Sequence, residues 1–188
     1  FMLRRTLIGL FVVLLAATLL VVAGQRLAAV SPDAGAVIRL QAFTFDPRQG
    51  EPHLPPALQM TSSPSGVDTY VLQFRGPVLE EWKAAAEQAG ARLYGYLPDY
   101  AFIARMDTAT AQRVSQLDFV RWVGLYHPAY RLSVDLISPR LATDAGDAVQ
   151  ELSVVALPDA DLDALQQQII TLGGNVRSQA SNRVAGYL

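Results

Sequence analysis

Few side chains in this sequence could do chemistry. Cysteine is absent and histidine occurs twice, at His53 and His127. Thiolate nucleophiles, disulfides and thiolate metal sites are therefore ruled out, and a histidine-rich metal centre has too few ligands. A Ser-His-Asp arrangement needs a base beside its nucleophile. His53 lies in a proline-rich stretch and His127 ends a strand-like run beside Pro128, with no nucleophile nearby in sequence for either. Both read as solvated or strand-end histidines. Asp159, Asp161 and Asp163 have the spacing that opens a calcium loop, but the sixth position is not glycine and Ile170 stands where a bidentate glutamate belongs. Capping and dipole stabilisation of a helix explain that cluster better. Glu80, Glu81 and Glu87 read as a solvated helix face, and no glycine-rich phosphate loop occurs. The expectation is a chain without its own catalytic residues, metal or cofactor.

Composition narrows the classes further. The 188 residues are 51% hydrophobic and 17% charged, with 15 Lys and Arg against 17 Asp and Glu. That supports a folded core and provides no basic field to gather nucleic acid. Arg4 and Arg5 precede an uncharged run over residues 7–23 in which Thr18 is the one clearly polar side chain. As a helix this run spans about 25 Å, short of a ~30 Å hydrocarbon core. It reads as an export signal. Val21 and Ala23 suit a signal peptidase site, and the segment serves as a cleaved signal or an anchor, the chain's one membrane contact.

The elements that would position any function begin later. Residues 24–68 hold five of the eleven prolines between Pro47 and Pro64, with Ser62, Ser63, Ser65 and Gly66. They read as a linker with room for one short strand over residues 36–46. From Tyr70 the pattern sharpens. TYVLQF is a strand closed by Gly76-Pro77, and Val78, Trp82, Ala85 and Ala89 stripe a helix that Gly90 caps. ARLYGYL and YAFIARM form a hairpin around Pro98-Asp99. Asp107 or Thr108 caps a second helix striped by Ala111, Val114 and Leu117, and FVRWVGLYH is a last strand stopped by Pro128. Strand, helix, strand, strand, helix, strand predicts an α+β, ferredoxin-like (βαββαβ) module over residues 69–130. After a connector, 131–150, the pattern restarts. ELSVVAL, a helix striped by Leu162, Leu165, Ile169 and Leu172, Gly173-Gly174, NVRSQA and RVAGYL predict a truncated second module over 151–188. A helix and a strand are missing from it, and Phe1 precedes Met2, so the chain is expected to be a piece of something longer.

Both faces of the first sheet are expected to be apolar. Phe119, Val123 and Leu125 alternate with Val120, Trp122 and Tyr126, and Phe102 and Ala104 alternate with Ala101 and Ile103. At ~25 cal/mol per Å², leaving several hundred Å² of such surface wet would cost several kcal/mol, so a cover is expected. A docked partner or the repeat module could supply it. Ile103, Val120, Trp122 and Tyr126 are the expected docking face.

YVLQF, the glycine at Gly90, YAFIARM and the ending RVSQLDFVRWVGLYHP carry a resemblance. The module resembles the inhibitor-type prodomain of subtilisin-like serine proteases. With the export signal, the chain is similar to the amino-terminal region of large secreted bacterial precursors of that family. The resemblance covers residues 70–128 well and 151–188 weakly. It implies a folding template and temporary inhibitor whose open sheet face lies on two helices of a catalytic domain encoded in cis downstream, and whose carboxyl tail enters the cleft. Here the chain runs from the fourth strand into another module, so residues 128–136 read as a connector and no cleavage site carries over. The Asp, His and Ser motifs of that catalytic domain do not occur. The alternative is a non-catalytic exported interaction or ligand-binding protein of tandem ferredoxin-like modules.

Overall fold

The computed structural model describes residues 37–63, 66–137, 151–180 and 183–187, the last stretch for its backbone alone. The expected export segment, 1–23, and residues 138–150 of the expected connector lie outside the described residues. Among those described, no helix is long and apolar enough to cross a membrane.

The stretch expected to be a linker with one strand instead contains a small antiparallel hairpin, β1 (Ile38–Arg39) paired with β2 (Thr44–Phe45). Its apolar residues are the reason it folds, since Ile38 is fully buried and Leu40 and Phe45 pack beside it. Four strands follow: β3 (Val67–Phe74), β4 (Arg92–Leu97), β5 (Ala101–Asp107) and β6 (Val120–Leu125). They form one antiparallel sheet in the order β4-β5-β3-β6. The molecule is thus α+β, with α1 (Glu80–Gln88) between β3 and β4 and α2 (Thr108–Ser115) between β5 and β6.

Both helices pack against the same side of the sheet. Ala86 from α1 and Ala111 and Val114 from α2 share one buried cluster with Tyr70, Leu72 and Phe74 of β3 and Ala104 and Met106 of β5. Trp82 stacks on Phe119 at 5.5 Å between ring centroids, closing that core at the start of β6. Local signals set the helix ends. Glu80 and Glu81 occupy the first turn of α1, and the Asp107 carboxylate accepts from the Thr110 N–H at 2.6 Å to cap α2. Gly90 ends α1 at φ +107°, where the left-handed region favours glycine. Arg113 of α2 donates to the Ala89 carbonyl at 3.2 Å, tying the end of one helix to the other. The β4–β5 turn is centred on Asp99 and Tyr100, at φ 62° and 65°, one residue beyond the expected Pro98-Asp99 pair. Positive φ at both central residues is the twist that suits a tight hairpin.

The carboxyl-terminal module repeats the first four of these six elements. A short helix, α3 (Val134–Ile137), precedes it. β7 (Glu151–Val155), α4 (Leu162–Thr171), β8 (Asn175–Ala180) and β9 (Arg183–Tyr187) give an antiparallel sheet in the order β7-β9-β8. Its first, third and second strands are arranged as β3, β5 and β4 are in the first sheet. The helix ends agree as well. The N–H of Gly90 donates to Glu87 and that of Ala91 to Ala86, as the N–H of Gly173 does to Ile170 and that of Gly174 to Ile169.

Candidate functional site

The face of the first sheet away from the helices is the surface expected to take a partner, and the chain covers much of it itself. Ile38 packs with Val71 of β3 and Ala101 of β5, all three fully buried, and Leu40, Phe45, Leu97, Trp122 and Tyr126 close around them. Phe45 meets the Trp122 indole edge-on at 5.9 Å. Farther along, Leu54, Ala129 and Tyr130 form a second buried cluster with Phe43, Phe45, Leu58 and Ile137. Residues of the expected connector therefore join the cover. The sequence carried a signal for one of these contacts. Gly124 sits inside a strand because a Cβ there would lie 2.0 Å from the Trp122 ring, which occupies the space beside it.

Polar groups pin the cover in place. Gln73, fully buried in β3, donates from Nε2 to the carbonyls of Val37 at 3.0 Å and Asp99 at 3.1 Å. Arg39 pairs with the Asp99 carboxylate at the β4–β5 turn. Glu51 receives the Tyr130 hydroxyl at 2.8 Å and faces His127 Nε2 at 3.3 Å, while His127 Nδ1 accepts from the Met60 N–H at 2.9 Å. With Nδ1 accepting, the ring proton belongs on Nε2, toward the carboxylate. Burial, then the hydrogen bond and charge of Glu51, push the Tyr130 hydroxyl well above its ordinary range. A histidine whose two nitrogens are both engaged is suited to clamping residues 51–60 onto the strand end. It is poorly placed to act as a general base.

Three further features complete the chemistry-bearing surface. A shallow cleft of about 290 Å³ lies between Ser62, α2 and β6, lined also by Tyr70, Thr108, Gln112 and Leu125. The Tyr70 hydroxyl is buried there without a hydrogen-bond partner among the described residues. Asp161 caps α4 through the Ala164 N–H at 2.9 Å and Asp163 accepts from Gln179 at 3.3 Å, as helix-end acids should. Asp159 does something the sequence did not suggest. It reaches the first module, where the Tyr94 hydroxyl donates to it at 2.7 Å and Arg92 and Arg105 lie 3.2 and 3.5 Å away. Among the described residues no group of three or more His, Asp or Glu is placed to hold a metal ion.

The four residues expected on the docking face do not share one face. Trp122 and Tyr126 pack under the amino-terminal hairpin, and Ile103 pairs opposite Val71 on the same side. Val120 lies in the core beneath the helices. The reason is a β-bulge. Gln73 pairs with Trp122 but Phe74 pairs with Val120, so Arg121 is an extra residue and the alternation flips across it. Arg75 donates from Nε to the Val120 carbonyl at 3.1 Å and holds the irregular backbone.

Residues 39–127 match a family model described as a domain of unknown function, DUF8729. That match begins inside β1 and ends after β6, so it takes in the amino-terminal cover together with the sheet it covers. No curated protein and no solved structure matches this chain.

Proposed function

We propose that this chain is the amino-terminal propeptide region of an exported subtilisin-like serine protease, a non-catalytic intramolecular chaperone and temporary inhibitor whose catalytic domain is encoded in cis downstream. One observation supports the reading above others. The segments YVLQF, YAFIARM and RVSQLDFVRWVGLYHP, which carry the resemblance, supply β3, β5 and the α2–β6 unit of a sheet ordered β4-β5-β3-β6, with α1 and α2 on one side. That order is what a ferredoxin-like split βαβ module would adopt. In this proposal 151–188 is a partial second module of the same kind.

Ile103, Trp122 and Tyr126 remain the proposed docking side for the protease, and Val120 leaves the set because it packs beneath the helices. Residues 37–60 would have to move off that side for a protease helix to sit there. Their presence favours a second reading, a non-catalytic exported interaction protein of tandem ferredoxin-like modules whose partner binds elsewhere.

Inhibition of a subtilisin-type protease by the intact chain and by its Ile38→Asp variant separates the two. A buried aspartate in place of Ile38 loosens the hairpin from Val71 and Ala101. The propeptide reading expects slow, saturable inhibition that Ile38→Asp strengthens. If neither protein inhibits while both retain the far-ultraviolet circular dichroism of a folded chain, the second reading takes its place.

A further inference from the structure

Arg92 and Arg105 are direct cross-strand partners on β4 and β5. Like charges placed opposite each other on neighbouring strands repel, and a sheet tolerates the pair when an anion sits between them. Asp159 is that anion. Its Oδ2 lies 3.2 Å from Arg92 and 3.5 Å from Arg105 and accepts the Tyr94 hydroxyl at 2.7 Å. The Arg92 guanidinium also lies over the Tyr94 ring, 5.2 Å from its centroid, which orders the site from below.

All three donors stand on the first module, and the carboxylate comes from the turn between β7 and α4 of the second. We propose that Arg92, Tyr94 and Arg105 form a carboxylate-binding site whose ligand is Asp159, and that this site fixes the second module on the first. The inference holds under either reading of function, because it concerns contacts within the chain. The acids nearest in sequence are committed elsewhere, Asp161 to the Ala164 N–H and Asp163 to Gln179, so neither substitutes for Asp159.

Charge effects agree with the geometry. The hydrogen bond from Tyr94, with the Arg92 and Arg105 charges behind it, holds the Asp159 carboxyl below its usual range. Desolvation, then the hydrogen bond to Asp159, raises the Tyr94 hydroxyl above its ordinary range. A carboxyl with a depressed folded-state pKa contributes stability above its unfolded value and loses it as pH falls through the folded one. The latch is therefore closed at neutral pH and opens on acidification below about pH 4.

The absence of cysteine makes the test direct. Spin labels on Glu87→Cys and Gln168→Cys, both exposed and one on each module, report the inter-module distance by pulsed electron resonance. A narrow distribution is expected at pH 7 in the parent and in Asp163→Asn. Asp159→Ala should broaden it, as should the Arg92→Ala and Arg105→Ala pair or 1 M salt, which shortens the screening length to about 3 Å. Reversing the charges together, Asp159→Arg with Arg92→Asp and Arg105→Asp, should narrow it again. Tyr94 should titrate lower in Asp159→Ala, read by nuclear magnetic resonance of its ring. A distribution unchanged by Asp159→Ala, or one broadened equally by Asp163→Asn, would overturn the proposal.

Discussion

The side-chain amide of Gln73 donates to the backbone carbonyl of Val37 at 3.0 Å, and this bond links the centre of the four-stranded sheet to the residue that leads into the covering strand β1. Gln73 is fully buried on β3, one of the two inner strands. Its amide also donates to Asp99, which in turn pairs with Arg39 on the covering hairpin. The hairpin and the β4–β5 turn are thus held by one side chain.

Truncating the buried contact beneath this bond should loosen the cover. Ile38→Ala is expected to cost about 2–4 kcal/mol, the range for large-to-small changes at buried aliphatic positions. In a Trp82→Phe background, which leaves Trp122 as the one indole, emission should shift to longer wavelength and acrylamide quenching should rise. Urea unfolding and fluorescence check both effects.

Gly124→Ala tests the same face from the other side. A methyl group there would meet the Trp122 ring at 2.0 Å, so the indole has to swing toward solvent. The expected result is the Trp122 emission shift of Ile38→Ala without any change to the hairpin's own residues. An unshifted spectrum would mean that Trp122 does not lie on Gly124.

The two helix-capping glycines form a matched pair. Gly90 sits at φ +107°, where an added methyl would lie 3.2 Å from the Thr110 side chain, whereas Gly173 sits at φ +90° with nothing within 4 Å of that position. Alanine at either should cost about 1 kcal/mol from backbone conformation. Gly90→Ala should cost more than Gly173→Ala because Thr110 and the helix behind it must shift. Thermal unfolding of the two variants gives the comparison.

Much of the first module was legible in the sequence because its signals are local. The two stripes of apolar residues, the acids in the first turn of α1, the Asp107 cap and the glycine at Gly90 each act within a few residues, and they mark the elements that form. The bulge at Arg121 was not legible. One extra residue reverses which side chains share a face, and nothing in RWVGL distinguishes a regular strand from a bulged one. The covering hairpin was obscured for a different reason. Its strands are two residues each, too short for alternation to show, and the five prolines that follow them read as a linker. Asp159 was hidden by its neighbours, since three alternate aspartates before a helix look alike until one of them meets two arginines far away in the chain.

Acid should unwind α2 before it unfolds the sheet. The hydrogen bonds from Thr110 hold the Asp107 carboxyl below the usual aspartate range. Stability from this cap is present above the unfolded value and is lost as pH falls through the lower, folded one. Amide exchange at Thr110 and Ala111 should therefore speed up as pH falls below about 4, and Asp107→Asn, which keeps an acceptor without a titrating group, should flatten that dependence.

The proposed role of this chain is to fold and then restrain a subtilisin-like catalytic domain. A guanidine-unfolded subtilisin-type catalytic domain, diluted into buffer with and without an equimolar amount of the chain, tests it most directly. The chain is expected to speed the return of native structure, and the refolded protease to stay silent until the chain is degraded. Refolding at the same rate with immediate full activity would contradict that role.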